Sequence, residues 1–322
     1  MKQNGSLQEG GSPWCKSRLS AFSQPLVKSV LQKGRLGSAV LEELVNNGFT
    51  VTVLSRNSSG IKDLPSGVEA AQVDYSSQDS LVEALRGNDV AIATFASAHL
   101  VNQEAIIEAS IKAGVKRYIP ADWGSLTTDP KARTLPMNYP LVKVQDFLKK
   151  KADTGLLEYT IFSVGAFLDF LLDYPFILDV KTSSIKIFDN GEHPFSSTSV
   201  HSIGKAIAGA LNAPEVTKNR NLFIHDTVLT QAKVLAIAKK YSPPTVQWTE
   251  TRVDAQQELE QALKNMEKDP TDFMLIFPLL QASLLSGQYR VAYPEVDNEL
   301  VGLPLLTDEE LEKKFAAKFQ HD

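Results

Sequence analysis

From Gly34 onward the chain alternates short apolar runs with segments whose apolar residues recur three and four positions apart. Val40, Leu41, Leu44 and Val45 form one such stripe, closed by Gly48. That spacing marks a helix with one buried face, and a glycine just past its end is a common stop. The continuous apolar run 51–54 follows, which is how a strand covered on both faces of a parallel sheet reads. The alternation then continues with a strand over 68–74, a helix over 77–85 opened by a serine cap and closed by Gly87, and a strand over 90–94. A helix over 103–113 ends on Gly114, and a strand over 115–120 stops at a proline. Regular strand–helix alternation predicts right-handed crossovers and an open, doubly wound parallel sheet of the α/β class. Ligands of such sheets bind beyond the carboxyl ends of the strands. Here that points to the loops Thr94-Phe95-Ala96-Ser97 and Ala121-Asp122-Trp123-Gly124.

The second half is patterned more loosely. Residues 185–188 alternate like a strand and run into the turn Asp189-Asn190-Gly191. The segment 194–200 leads to a helix over 203–211, followed by a strand over 221–224 and a helix over 230–239. Residues 246–253 alternate for eight positions, which predicts a strand with one buried face. Helices are expected around 258–266 and 273–285, the latter apolar enough either to line a pocket for a flat substrate or to serve as core. Thr307 and Glu310 form a capping box that opens a last helix. The expected organisation is an irregular N-terminal segment (1–24), a dinucleotide-binding domain (25–160), and a smaller α/β substrate-binding region (161–322) with strands returning to the main sheet.

The first helix carries the first chemical signal. Gly34-Arg35-Leu36-Gly37 is the back half of a glycine loop, in which glycines allow a tight turn and let the backbone approach a pyrophosphate at the helix N-terminus. A glycine at position 31 would complete the pattern, and Leu31 stands there. Arg56 ends the next strand about twenty residues on. A carboxylate there would bind a ribose hydroxyl, whereas an arginine suits the 2′-phosphate of NADP. The first strand has to come from 25–31, whose Pro25 and Lys28 make a poor central strand. The region before Gly34 thus reads as foreign to the rest, as a gene-model or splicing irregularity would leave it.

Charge and composition narrow the class. The 322 residues carry a formal charge of −5 and a pI near 5.7, which argues against direct nucleic-acid binding because phosphate neutralisation needs a basic surface. A single cysteine, Cys15, allows no internal disulfide and fits a reducing compartment. The five histidines have no metal-ligand spacing, so no metal is expected. No apolar run reaches membrane-spanning length. A cytoplasmic enzyme-sized protein is the expectation, with no membrane partner.

Tyr139 and Lys143 form a Tyr-x-x-x-Lys pair at the head of an amphipathic helix. In such a pair the ammonium lowers the phenol pKa so that the phenol can donate a proton as hydride arrives. The competing reading is a solvated lysine and a packing tyrosine before Pro140, a residue tolerated only in the first helical turn. His99, after the first strand-end loop, is either a substrate contact or a solvent-facing loop residue, and Trp123 either stacks on substrate or seals the cleft.

The stretches Gly34-Arg35-Leu36-Gly37, Val53-Leu54-Ser55-Arg56, Gly114-Val115-Lys116-Arg117-Tyr118-Ile119-Pro120-Ala121-Asp122-Trp123-Gly124 and Val164-Gly165-Ala166-Phe167 resemble the NmrA-like and isoflavone-reductase-like group, atypical short-chain dehydrogenases of a fungal type. The resemblance runs from Gly34 to the C-terminus and implies a Rossmann-type fold, NADPH as cofactor, and reduction of a small, often aromatic molecule. It assigns Gly34 and Gly37 to the pyrophosphate loop and Arg56 to the 2′-phosphate. It places Thr94, Phe95 and Ala96 under the cofactor ribose, with Gln103 opening the following helix. Gly165, Ala166 and Phe167 fall beside nicotinamide and substrate. The group's lysine falls on Lys143 or, aligned without a gap, on Leu141, two residues and roughly 200° of helix rotation away. The function expected is an NADPH-dependent oxidoreductase acting on a small-molecule substrate. The alternatives are an NAD(P)-sensing regulator with a protein partner, or a chain whose cofactor binding is impaired by its altered first strand.

Overall fold

The computed structural model describes residues 34–56, 64–95, 103–124, 126–269 and 272–319, together with the backbone of 26–30. The expected irregular segment 1–24, Leu31, Ala96 and His99 lie outside the described residues. The first half contains β1 (Leu26–Val30), α1 (Arg35–Asn46), β2 (Thr50–Ser55), β3 (Glu69–Gln72), α2 (Gln78–Leu85), β4 (Val90–Ala93), α3 (Gln103–Ala113) and β5 (Arg117–Ile119). Then come α4 (Tyr139–Asp153), β6 (Glu158–Ser163), β7 (Ala166–Phe167), α5 (Leu168–Asp173), β8 (Ser184–Phe188), β9 (Phe195–Thr198) and α6 (Val200–Asn212). The remainder is α7 (Pro214–Thr217), β10 (Arg220–Phe223), β11 (Thr227–Leu229), α8 (Gln231–Tyr241), β12 (Thr249–Val253), α9 (Ala255–Lys268), α10 (Ile276–Leu285) and α11 (Asp308–Phe319).

Seven strands form one sheet in the order β10-β6-β5-β4-β1-β2-β3, with every neighbouring pair parallel. This is the doubly wound α/β sheet expected from the pattern. Burial explains the near-continuous apolar strands, because successive residues point to opposite covered faces. In β4, Ile92 joins Leu44, Ile203 and Ile207 on the α1/α6 face. Ala91 and Ala93 join Leu81, Ile107 and Leu148 on the α2/α3/α4 face. A third cluster, centred on Phe188, Phe195, Leu279 and Phe315, builds the C-terminal half.

Four expectations are corrected. The segment judged a poor central strand is one: β1 pairs with β2 and β4 at once, Val27 standing opposite Val51 and Val90. Two parallel ladders satisfy its backbone, and that outweighs a lysine in the run. The strand over 246–253 has no buried face; Thr249 to Arg252 are exposed, because β12 pairs only with β8, whose Ile185, Ile187 and Phe188 turn into the core instead. Residues 195–198 form β9, buried throughout, and α6 starts at Val200 with Ser199 as its cap, accepting from the Ser202 amide. The helix at 273–285 opens as a 3-10 turn over Phe273–Leu275, and Pro278 sits in the first turn of α10. Elsewhere the match is close. The expected capping box forms, with the Thr307 amide donating to Glu310 Oε2 at 2.8 Å and the Glu310 amide donating back to Thr307 Oγ1 at 3.2 Å.

Helix α6 ties the halves together. It lies against α1 through Gly204, where a Cβ would come within 2.8 Å of the Ala39 carbonyl oxygen. Its Gly209 backs onto the chain before α11, and a Cβ there would stand 2.0 Å from the Val301 carbonyl oxygen. Neither neighbour is a side chain that can swing away. Gly209→Ala is therefore expected to lower unfolding free energy by roughly 1–3 kcal/mol, read as a shifted midpoint in urea. An unchanged midpoint would show that the 301–302 turn moves freely.

Candidate active site at the carboxyl edge of the sheet

The ends of β2, β3 and β4 and the first turns of α3 enclose a cavity of about 820 Å³ whose wall includes Arg56, Gln72, Asp74, Tyr75, Ser80 and Phe95. Arg56 is exposed and lines the cavity, its carbonyl oxygen accepting from Gln72 Nε2 at 3.3 Å. Among the described residues no carboxylate is paired with its guanidinium. Asp74 shapes the turn after β3: its Oδ1 accepts from the Ser76 amide at 2.9 Å and from Ser76 Oγ at 2.7 Å. Those bonds hold its carboxyl below the usual range. Tyr75 sets its ring edge-on to Phe95, centroids 5.9 Å apart. Burial pushes its phenol up to about 12, against the opposing charge of Arg56. Arg56 and Phe95 are legible from the sequence. Asp74, Tyr75 and Ser80 are not singled out there, although their place just beyond a strand's carboxyl end is the available signal.

Toward the centre of the edge, Gly34 is the extended residue before α1 (φ −148°, ψ 165°) and Gly37 is buried in the first turn. Thr94 is buried just past β4. Gln103 is fully buried, and its Oε1 accepts from the Ala121 amide at 2.7 Å. It therefore fastens the start of α3 to the loop after β5, while its Nε2 has no hydrogen-bond partner among the described residues.

Tyr139 and Lys143, one turn apart, share the outer face of α4, and Pro140 sits in the first turn where a proline is tolerated. Both are open to water, Tyr139 70% exposed and the Lys143 side chain 61%. Lys143 Nζ lies 3.1 Å from Oε1 of Glu104, next to Gln103 in α3. That pair brings Lys143 to the rim of the strand-end loops. Leu141, the other position compatible with the family lysine, is half-buried.

The inner face of α4 is held by a directed chain of hydrogen bonds. Arg133 donates to Gln145 Oε1 at 2.6 Å, Gln145 Nε2 donates to Asp122 Oδ2 at 2.6 Å, and Thr127 Oγ1 donates to Asp122 Oδ1 at 3.0 Å. Asp122 is buried at the end of β5, and burial raises its carboxyl to about 6 against the lowering effect of those two donors and of Arg133. Trp123, next along, donates its indole N–H to the Ala93 carbonyl at 3.1 Å and stacks on Phe162 at 6.0 Å. This places it in the wall between the two core clusters of the sheet.

Gly165 turns the chain out of β6 with φ +70°, and a Cβ there would stand 2.1 Å from the Ser196 carbonyl oxygen. Its amide donates to the Tyr293 hydroxyl at 3.1 Å. Ala166 and Phe167 then form β7 beside β9, half-buried, and the Ala166 carbonyl accepts from Ser197 Oγ at 3.0 Å. The loop of Thr94, the Gln103 helix start, Asp122 and the Gly165 turn all lie at the carboxyl ends of β4, β5 and β6.

A family model described as the NmrA-like family matches residues 32–293. The chain belongs to the NmrA-like family. Oxidoreductase aprR of Aspergillus flavus is 31% identical to it over 287 residues, 86% of this chain and 94% of that protein. Among solved structures, an isoflavone reductase superposes with a TM-score of 0.69 at 19% identity, covering 91% of this chain and 100% of that one. An NADPH-dependent quinone oxidoreductase from Escherichia coli, solved with NADPH, gives 0.69 at 19% identity, covering 92% and 100%. These likenesses agree with the doubly wound sheet. The match to the NmrA-like family opens at residue 32, so Leu31 lies outside it.

The buried carboxyl of this NmrA-like chain has a measurable signature. Its folded pKa, about 6, lies above the ordinary 3.8, so the folded state keeps a proton that the unfolded chain has released. Its stabilising contribution is complete below 3.8 and declines as pH rises to about 6. The melting-temperature difference between wild type and Asp122→Asn should therefore drift in the variant's favour across that window and level off above it. A difference that is flat across the window would show that Asp122 is charged throughout.

Proposed function

We propose that this chain is an NADPH-dependent reductase of a small aromatic or conjugated molecule. The observation that carries the reading is the cavity at the ends of β2, β3 and β4 with Arg56 in its wall. It has the size for an adenosine moiety and the cation that a 2′-phosphate calls for. Membership of the NmrA-like family, a relative named as an oxidoreductase and a structural neighbour solved with NADPH support it.

The donor set fits the cofactor. Arg56 would hold the 2′-phosphate, Tyr75 and Phe95 the adenine face, and Gly34 and Gly37 the close approach of the diphosphate to α1. Thr94, just past β4, and Gln103, opening α3, would border the cofactor beside them; Ala96 keeps the role that the family resemblance implies for it. Gly165, Ala166 and Phe167 form the floor toward the substrate, with Trp123 and His99 assigned to its surroundings. When bound, NADPH supplies a hydride from its nicotinamide ring. Lys143 contributes the positive charge that stabilises oxygen in the reduced substrate, and Glu104 orients its ammonium at the rim. Tyr139, further toward solvent at the head of α4, is the second candidate for the proton.

Titrating the purified chain with NADPH and following cofactor fluorescence should give saturable binding that is tighter than for NADH; absence of binding would remove the reading. Arg56→Ser should weaken NADPH binding by about 10- to 100-fold, the worth of one charged hydrogen-bonded contact, and leave NADH nearly untouched. Against a panel of enones and quinones, Lys143→Ala should lower kcat by about tenfold or more, with the NADPH dissociation constant unchanged. Tyr139→Phe separates the pair: full turnover in that variant leaves the lysine acting alone, and full turnover in both variants removes both residues from the chemistry.

A further inference from the structure

Arg35, the first residue of α1 and part of the glycine loop, donates to Oδ2 of Asp173, 138 positions away at the end of α5. The other oxygen of that carboxylate accepts from Lys318 in α11. One carboxylate thus joins three elements that no local sequence brings together: the cofactor loop, the helix following the Gly165 turn, and the C-terminal helix. The anion is the sheltered member, its side chain 19% exposed against 57% for Arg35 and 42% for Lys318. Two cations hold the Asp173 carboxyl below its usual range. Asp169, one turn earlier in α5, accepts from the Val200 amide at the start of α6 at 2.7 Å, so α5 is anchored independently of the Arg35 contact.

We propose that Asp173 is a competitor for the cofactor: it holds Arg35 across the cleft in the empty protein and yields it to the cofactor diphosphate on binding, keeping Lys318 as its remaining partner. This rests on the NADPH reading above. The exchange needs little energy. An ion pair as exposed as Arg35–Asp173 is weak, because water screens it, and a diphosphate over the first turn of α1 offers the same guanidinium more charge together with the helix N-terminus. Asp173 is not left buried and unpaired when Arg35 departs, since Lys318 stays. Without Lys318, the carboxylate would depend on Arg35 alone and release it less readily.

The test is NADPH fluorescence titration of wild type, Asp173→Asn, Arg35→Gln, the double variant and Lys318→Met, with apo melting temperatures measured alongside. Asp173→Asn should bind NADPH about two- to fivefold more tightly although its apo form melts lower, a range set by the small worth of exposed pairs. Arg35→Gln should bind more weakly, and adding Asp173→Asn to it should change nothing. Lys318→Met should weaken binding without touching the cofactor. Equal or weaker binding by Asp173→Asn overturns the competition while leaving the NADPH reading standing, as does strict additivity of the two substitutions. Failure of wild type and Asp173→Asn alike to bind NADPH overturns both.

Discussion

The close backbone contact at Gly165 is the constraint on which the arrangement of the two halves depends. The chain leaves the main sheet after β6 and must pass directly over β9, leaving no room for even a methyl group before the Ser196 carbonyl. Around that crossing polar groups bond across the layers. The Val164 carbonyl accepts from Thr198 Oγ1, Ser196 Oγ bonds to His225 Nδ1 at 2.9 Å, and the Tyr293 amide donates to Ser196 Oγ at 3.0 Å. Burial of so many polar atoms is tolerable only because each is paired. A larger residue at 165 would separate the layers and break several of these bonds together. The cleft between the sheet edge and the C-terminal half therefore has a fixed floor.

The walls of the cleft are fixed in a different way, by side chains that reach between neighbouring strand-end loops. Gln103 holds the loop after β5, Glu104 meets α4 through Lys143, and Asp122 holds α4 from inside through Gln145. The start of α3, the loop after β5 and the first turns of α4 are thereby one unit. Substitution of Gln103 would disturb the surroundings of Lys143 without either residue touching the other. This kind of support is what a site on loops requires to keep its geometry within a fraction of an ångström.

The parts legible in the sequence are those whose cause is local. The stripe of Val40, Leu41 and Leu44, the serine cap of α2, the glycine after α3 and the Thr307–Glu310 box each declare an element within a few residues, and each element forms there. What escaped is what tertiary pairing decides. Nothing local marks 26–30 as an interior strand, because its two partner strands, β2 and β4, supply the stabilisation. Nothing local says that 249–252 face water, because the cover on that sheet goes to β8. The site divides likewise. Arg56 and the Gly34 loop follow from spacing, while the Tyr75–Phe95 contact, the hold of Gln145 on Asp122 and the Arg35–Asp173 contact depend on partners that lie far along the chain.

An acidic chain that is to accommodate a polyanion, as the proposed function requires, must arrange its cations with care, and the sheet edge illustrates how. Arg133 is paired with Asp146 at 2.9 Å, Lys143 with Glu104 at 3.1 Å and Arg35 with Asp173. Each pair neutralises a cation that would otherwise raise the potential of the whole cleft and attract any anion. Arg56 differs in having no carboxylate partner among the described residues, and it lines the cavity at the ends of β2, β3 and β4. Its charge is consequently the one most available to a ligand from the start, whereas that of Arg35 must be taken from a competitor. On the proposed NADPH reading, selectivity for a phosphate at the adenosine end follows from leaving Arg56 without a carboxylate partner while Arg35, Arg133 and Lys143 are paired, and the net charge of −5 is no obstacle to it, because the potential that a bound phosphate feels is set within a Debye length of about 8–10 Å.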